Sequence, residues 1–148
     1  MLREFNDRFD DFIIRTIANE TPPRPPPPTN KDFWALCLNF LPTAVGGCQQ
    51  KVKKGDQVLF AYATAGVTLH YLRLFGPGIA IVGTPTVLTV TDGTGAPISG
   101  ATVGGLQTDA QGRVSITFTT PGTRYLKAER RTNSVRSNQL VIQVIVGA

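Results

Sequence analysis

The sequence is poor in the residues that most often build metal centres and nucleophilic sites. Its 148 residues include one histidine, two cysteines and one tryptophan. A single histidine cannot supply a zinc site, which needs three or four ligands, and the spacing of Cys37 and Cys48 fits no metal signature. The sequence also has no phosphate-binding loop and no recognisable Ser/His/Asp set. These absences predict a protein that is not an enzyme and that uses no cofactor.

Long hydrophobic runs are absent as well. No apolar stretch approaches the roughly 18 to 20 residues of a membrane-spanning helix. The first twenty residues lack the uncharged core of a signal peptide, because charges recur at Arg3, Glu4, Asp7, Arg8, Asp10 and Asp11. We therefore expect no membrane span, and either an intracellular protein or a chain whose first residue lies inside a longer precursor.

Positive charge is in excess, with a formal net charge of +5. The basic residues form two clusters that are not interleaved with aromatic residues: Lys51, Lys53 and Lys54, and then Arg124, Lys127, Arg130, Arg131 and Arg136. Single-stranded nucleic acids are usually bound by basic grooves that also carry stacking aromatics. The pattern predicts solvated strand edges, where Lys and Arg discourage edge-to-edge pairing, and no nucleic-acid partner.

Short alternating apolar runs fill the second half of the chain. Residues 88–119 read LTVTDGTGAPISGATVGGLQTDAQGRVSITFT, in which turn signals such as Asp-Gly and Gly-Gly separate the runs. Spacing near ten residues with a turn between runs is typical of a β-sandwich. We predict strands at 79–82, 86–91, 101–103, 106–108, 113–119, 123–130 and 139–146. The last run, LVIQVIV, should lie deep in a sheet, because a long apolar strand left at an edge invites aggregation.

The first half divides at a proline-rich segment. Residues 21–30, TPPRPPPPTN, must be extended, since each proline fixes its own φ and biases its predecessor away from the helix. This segment is either a stiff spacer or a ligand for an aromatic-lined groove. Before it, residues 1–20 form an arm with a helix-like or irregular start that becomes a strand from about Asp11. After it, we predict a unit at 31–76 and a sandwich at 77–148, joined near the Phe-Gly-Pro-Gly sequence at 75–78.

The unit at 31–76 carries further strand patterns. Residues 33–40 alternate so that Trp34 shares one face with Leu36, Leu38 and Phe40. A short exposed strand and a tight turn are expected at 51–56, a buried strand at 57–63 and another strand at 69–74. His70 lies in the last of these strands. Because its neighbours are apolar, we predict that it is a core residue that is half-exposed or has its hydrogen bonds satisfied.

Two aspartates stand in glycine-containing turns of the second half. Asp92 precedes Gly93, and Asp109 begins the sequence Asp-Ala-Gln-Gly. Aspartate at such positions bonds to its own backbone and tolerates turn geometry. A calcium loop would require more oxygen ligands close together in sequence. We therefore interpret Asp92 and Asp109 as turn formers, and we expect no metal site.

Two blocks of the sequence resemble known families. The first, FDDFIIRTI followed by FWALCLNFLPTAVGGCQQKVKKGDQVLFAYA, resembles a domain of unknown function related to the C-terminal domain of transcobalamin. The matching positions are Trp34, Asn39, Gly46, Gly47, Cys48, Gly55 and Asp56. The second, VTDGTGAPISGATVGG with TDAQGRV and PGTRYLKAER, is similar to a bacterial-type immunoglobulin-like domain. This order of domains is similar to that in large secreted proteins of filamentous fungi.

The resemblance implies a mainly β protein in which a small β-grasp-like unit precedes an immunoglobulin-like β-sandwich. It also implies export from the cell. In an oxidising compartment Cys37 and Cys48 are expected to form a disulfide across a hairpin, the alternative being two buried thiols. Asn19 begins a glycosylation sequon that is usable only if the chain is secreted. The family supplies no catalytic residues.

The combined interpretation is a non-catalytic extracellular or cell-surface module with a structural or adhesive role. Its expected partner is a protein or a cell-surface polysaccharide, and residues 1–20 are expected to mediate self-association by packing on a neighbouring molecule. The alternative is a carbohydrate-binding module. Its contact residues would be exposed aromatics, for which the candidates are Phe33, Trp34, Tyr62 and Tyr71.

Overall fold

Strands joined by turns and irregular segments build the described part of the chain. A computed structural model describes residues 2–6, 11–17 and 32–148, and no helix occurs among them. The prediction of a mainly β protein is confirmed. The described residues accordingly include no helix that is long and apolar enough to span a membrane.

The chain forms two compact units, Met1–Thr68 and Leu69–Ala148. This division falls before the join that the sequence predicted at 75–78. The residues between the two positions carry strands that pair with the second unit: His70 and Tyr71 pair with Ser134 and Val135, and Leu74 pairs with Val90. The Phe-Gly-Pro-Gly sequence is therefore a connection inside the second unit.

The first unit contains five strands in the described residues. They are β1 (Leu2–Asn6), β2 (Asp11–Thr16), β3 (Asp32–Leu38), β4 (Leu41–Pro42) and β5 (Val58–Thr64). β1 and β2 pair antiparallel, with Phe5 opposite Phe12. The strand expected from about Asp11 is confirmed, and the helix-like start is wrong. The apolar spacing of three and four residues in this segment is overridden by pairing with β2, which local propensity does not reveal.

A second sheet of the first unit has the strand order β4-β3-β5. β3 ends at Leu38, and the hairpin to β4 turns through Asn39 and Phe40, whose φ angles are 52° and 67°. Positive φ at both central residues is the geometry of a type I′ hairpin turn, which matches the twist of the strands it joins. Phe40 therefore lies in the turn, not on the strand. The short strand expected at 51–56 is absent, and Asp56 N donates to Lys53 O in a turn there.

The second unit is richer in strands. They are β6 (His70–Tyr71), β7 (Arg73–Phe75), β8 (Ile79–Ile81), β9 (Pro85–Thr91), β10 (Thr102–Val103), β11 (Leu106–Gln107), β12 (Arg113–Thr117), β13 (Gly122–Leu126), β14 (Ala128–Glu129), β15 (Ser134–Val135) and β16 (Leu140–Ile145). Three sheets have three strands each, ordered β12-β9-β7, β13-β16-β8 and β11-β10-β14, and β6 pairs with β15. β15 was not predicted.

Along the strands of this unit, every second side chain points into the core. Leu88 and Val90 on β9 and Ile142 on β16 are fully buried, whereas Val87 is 56% exposed. The buried residues of the β12-β9-β7 and β13-β16-β8 sheets belong to one hydrophobic core, so the two sheets share their buried sides. Each fully buried Leu or Ile contributes about 1.5–3 kcal/mol relative to an exposed one.

The apolar run LVIQVIV forms the centre of its sheet. β16 pairs antiparallel with β13 and parallel with β8, so its backbone is hydrogen-bonded along both edges. This confirms the expectation that the run lies deep in a sheet. Parallel strands cannot be joined by a tight hairpin, and the chain between β8 and β16 forms the longer connection that this pair requires.

Candidate functional site

The four aromatic residues that the sequence suggested as a contact surface are not brought together. Phe33 pairs with Ala63 and Trp34 with Tyr62, so Phe33 lies on the opposite face of the β3–β5 pair from Trp34 and Tyr62. Tyr71 belongs to the second unit and is only 3% exposed. The predicted set reduces to one pair, Trp34 and Tyr62, on a single face of the first unit.

That pair has a defined geometry. The two rings meet edge to face, with centroids 5.5 Å apart and planes at 76°, an arrangement that aromatic quadrupoles favour. Trp34 is half-buried and Tyr62 is exposed. The indole Nε1 of Trp34 is buried and has no hydrogen-bond partner among the described residues, which is costly for a donor that water would otherwise satisfy.

The two cysteines lie in different environments. Cys37 is 1% exposed, and it shares one face of the β3–β5 pair with the buried Ala61 and Ala63 of β5. Burial raises the pKa of the Cys37 thiol to about 11, against a smaller opposite effect of a hydrogen bond involving the Phe40 backbone. Cys37 is a buried free thiol and Cys48 is exposed. The disulfide between them stays a prediction.

The glycosylation candidate Asn19 lies outside the described residues, as does the whole proline-rich segment at 21–30. Of the proposed arm, the structure describes the antiparallel pair β1 and β2 together with Ile17.

The turn aspartates act as the sequence analysis interpreted them. Asp92 Oδ1 accepts hydrogen bonds from Thr94 N, Thr94 Oγ1 and Ala96 N at 2.9, 2.6 and 3.0 Å. Asp109 Oδ1 accepts from the backbone nitrogens of Gln111 and Arg113 at 2.9 and 2.8 Å. Within the described ranges, no group of His, Cys, Asp and Glu side chains is arranged to hold a metal ion.

His70 and Asp92 form the nearest approach to an acid–base pair. His70 Nδ1 lies 3.5 Å from Asp92 Oδ2, and the histidine side chain is 33% exposed. Burial tends to raise the pKa of Asp92, but the hydrogen bonds from Thr94, Ala96 and His70 outweigh it and hold the pKa below its usual range. A carboxylate with a low pKa and several fixed donors is a weak proton acceptor at neutral pH, so this pair stabilises the turn.

Sequence reasoning missed a surface on the outward side of the β13-β16-β8 sheet. Ile142 and Val144 on β16 point into the core, so the alternate positions and their partners on β8 and β13 point outward. The apolar residues among those positions are Ile79, Ile81, Tyr125, Val141 and Ile145, between 43% and 66% exposed. We call these five residues the outer apolar face. The remaining outward positions are Thr123 and Gln143, whose side chains hydrogen-bond to each other at 2.9 Å.

The outward side of the β12-β9-β7 sheet differs from the outer apolar face. Outward positions on β12 are Arg113, Ser115 and Thr117, and Ser115 pairs with the exposed Val87 of β9. That surface is the ordinary solvated side of an antiparallel sheet. The signal for the outer apolar face was present in the sequence, since LVIQVIV is apolar at nearly every position and not only at alternate ones. Which half of it faces the core could be read only from the pairing.

Comparisons with known proteins return no match. No family model matches the chain, and no curated protein and no solved structure matches it either.

Proposed function

We propose that this protein is a non-catalytic structural or adhesive module that associates with a second copy of itself through the outer apolar face. The observation that carries the proposal is the cluster of five exposed apolar side chains across three hydrogen-bonded strands. Contiguous exposed apolar patches mark interaction surfaces, whereas single exposed apolar residues are ordinary.

The composition of the face favours a like partner. The outward positions of these three strands carry no charged side chain, and of the two polar ones Thr123 Oγ1 donates to Gln143 Oε1. Two copies can therefore meet about a two-fold axis without burying an unpaired charge, which is the main cost of a polar interface. Each half-exposed Ile or Val that becomes buried adds about 1 kcal/mol.

Light scattering of the full chain over a range of concentrations tests the proposal. We expect a dimer that dissociates when Val141 and Ile79 are both replaced by lysine, because two charges would then be buried at the contact. The matched control is Val87→Lys, which adds a charge at an exposed residue of the β12-β9-β7 sheet and should leave the dimer intact. A full chain that stays monomeric at the highest concentration, or a dimer unaffected by the double substitution, would contradict the proposal.

The N-terminal arm offers a second route to association, by exchange of residues 1–20 between molecules. A variant that lacks residues 1–30 separates the two routes. Dissociation on removal of the arm, with no effect of the outer-face substitutions, would favour exchange. The extracellular or cell-surface location, the β-grasp-like character of the first unit and the immunoglobulin-like character of the second are parts of the same proposal and are supported by the sequence resemblance.

Carbohydrate binding is the second candidate, and the Trp34–Tyr62 pair is the observation that favours it. Sugar rings stack on exposed aromatic faces, and these two rings lie together on one side of the β3–β5 pair. Because the chain has one tryptophan, its fluorescence reports directly on Trp34. A shift of the emission on addition of chitin or glucan fragments would support this candidate, and an unchanged emission would exclude the pair as the binding surface.

A further inference from the structure

A concave pocket of about 780 Å³ lies on the second unit, and its lining shares no residue with the outer apolar face. Its floor is the outward side of the β11-β10-β14 sheet. Thr102 pairs with Gln107 on one side and with Glu129 on the other, so these three side chains stand in a row. Val103 and Ala128, one position away, are fully buried in the core. The core thus fixes the direction in which the floor residues point.

One wall is the connection from β14 to β15, which begins with Arg130 and Arg131. Arg130 Nε donates to Ser134 Oγ at 3.0 Å, and Ser134 Oγ donates to Thr132 O at 3.0 Å. The connection turns at Asn133, whose φ is 50°. These bonds hold the segment as a closed turn, and they place both arginines at the pocket.

Arg136, just after β15, completes the cationic side. Its Nε lies 3.3 Å from Glu129 Oε2, and its Nη2 donates to Glu129 Oε1 at 3.4 Å. The pocket therefore contains three arginines and one glutamate. Glu129 compensates one positive charge, and Arg131 makes no polar contact with any residue that the structure describes.

Arginines that line the same pocket repel one another, and a concave surface concentrates their field. Solubility does not require several arginines to line the same cavity. A bound anion would attract all of them and offset their mutual repulsion. A guanidinium group binds a carboxylate or sulfate through two parallel hydrogen bonds.

We propose that this pocket binds an acidic oligosaccharide, through carboxylate or sulfate groups carried on hydroxylated sugar rings. The arginines would take the anionic groups. Ser99, Thr102 and Gln107, which also line the pocket, would take the ring hydroxyls. The volume lies within the range of about 300–1,000 Å³ that small-ligand sites occupy. Among the described residues, no aromatic side chain lines the pocket, which disfavours single-stranded nucleic acid because its bases require stacking partners.

The site differs in place and in ligand from the outer apolar face and from the Trp34–Tyr62 pair. It also gives a role to part of the C-terminal basic cluster that the sequence suggested was only solvated. Arg124, a member of the same cluster, lies on β13 and does not line the pocket. Its Nη2 instead donates to Thr120 O at 2.9 Å.

Isothermal titration of the full chain with two probes tests the proposal. Tetragalacturonate carries carboxylates only, and a heparin-derived tetrasaccharide adds sulfates. We expect binding of at least one probe, weakened by added salt. Arg131→Ala should weaken it at least about tenfold, because a charge-assisted pair is lost. Arg131→Lys should cause a smaller loss, since lysine keeps the charge without the planar fork. Arg136→Ala should weaken binding as well, because the negative charge of Glu129 would then have no arginine partner at 3.3 Å and would repel the anionic probe.

Arg113→Ala is the charge-matched control, since Arg113 is exposed on β12 and does not line the pocket. It should bind both probes as the unaltered chain does. Circular dichroism verifies that each variant is folded. Binding of the carboxylate probe alone or of the sulfated probe alone identifies the anionic group and supports the proposal.

The proposal would be overturned if neither probe binds, if Arg131→Ala and Arg131→Lys bind as tightly as Arg113→Ala, or if uncharged maltotetraose binds as tightly as the acidic probes. A decathymidylate that binds more tightly than either acidic sugar, and loses affinity in Arg131→Ala, would identify a nucleic-acid site and would equally refute an oligosaccharide ligand.

Discussion

Asn39 and Asp56, seventeen residues apart, are joined by a hydrogen bond of 2.9 Å from Asn39 Nδ2 to Asp56 Oδ1. The other oxygen of Asp56 accepts from Lys53 N at 2.7 Å, and Asn39 Oδ1 accepts from Gln57 N at 2.9 Å. These contacts tie the β3–β4 turn to the start of β5 and close the long irregular segment between β4 and β5. Both residues are among the positions on which the resemblance to the transcobalamin-related domain depends.

Acid should weaken the first unit through this contact. The hydrogen bond from Asn39, followed by that from the Lys53 backbone, holds the pKa of Asp56 below its usual range. A carboxyl group whose folded pKa is lowered stabilises the fold above its unfolded pKa of about 3.9, and this stability is lost as pH falls through the folded pKa. Asn39→Gly tolerates the positive φ but removes the side chain, so its stability should fall less steeply below about pH 4. Urea unfolding followed by Trp34 fluorescence at neutral and acid pH measures the free energy of unfolding of each protein. An equal loss on acidification in the unaltered chain and in Asn39→Gly would refute the prediction.

Gly112 should tolerate no side chain. Its φ is +71°, and a Cβ there would collide with the backbone oxygen of Val90 and crowd Ile98 N. Gly112→Ala should therefore cost more than about 2 kcal/mol, the sum of a left-handed backbone penalty and a clash that only a main-chain shift relieves. Gly105→Ala is the matched control, because its φ is +85° and nothing lies within 4 Å of an added Cβ. It should lose only about 1 kcal/mol. Equal losses in urea unfolding followed by circular dichroism would show that the clash at Gly112 is relieved at no cost.

The two cysteines should differ sharply in reactivity. In the native reduced chain, iodoacetamide near pH 8 should label Cys48 and spare Cys37, because alkylation requires thiolate and because Cys37 is buried with a pKa of about 11. Denaturation in urea should expose both to labelling, which peptide mass spectrometry would reveal. In chain purified without reductant, failure of both cysteines to react in urea until a reductant is added would instead demonstrate the disulfide that the resemblance implies.

The raised pKa of Cys37 also predicts alkaline sensitivity. A thiol whose folded pKa is raised to about 11 contributes stability that is present below its unfolded pKa and is lost as pH rises through the folded value. Unfolding of the unaltered chain should therefore become easier from about pH 9 upwards. Cys37→Ala should remove this contribution at the cost of a small cavity. An unchanged pH dependence in that variant would disprove the assignment.

Trp34→Phe should be nearly neutral for stability. The substitution removes a buried N–H that has no acceptor among the described residues and keeps an aromatic ring beside Tyr62. Relief of an unsatisfied donor, about 1–3 kcal/mol, offsets the apolar contact that the smaller ring loses. Trp34→Ala, which removes the whole ring, should cost about 3 kcal/mol or more. Circular dichroism in urea measures both, and a loss above 2 kcal/mol in Trp34→Phe would indicate that Nε1 has a partner.

Much of the second unit could be predicted from the sequence. Alternation and turn residues located nearly all of its strands, and the roles of Asp92 and Asp109 followed from aspartate's ability to bond with its own backbone. The first unit was harder. The apolar spacing at Leu2–Asn6 favoured a helix, and the segment became a strand because β2 provides a partner. The run at 51–56 favoured a strand, but no strand forms there.

The candidate sites were less predictable than the strands. The sequence shows that Arg130, Arg131 and Arg136 are close in number, but it does not separate them from Arg124 and Lys127. It likewise groups Phe33 with Trp34, although adjacent residues of a strand point to opposite faces.

The sequence by itself determined that this protein is mainly β, that its aspartate turns are local, and that LVIQVIV occupies the centre of a sheet. Those features depend on backbone preferences and periodicity over a few residues. The tertiary structure alone decided that strands β6 and β7 belong to the second unit, that five apolar residues share an outward face, and that three arginines line one pocket. These features depend on register and on pairing between distant segments, which no short window of sequence encodes.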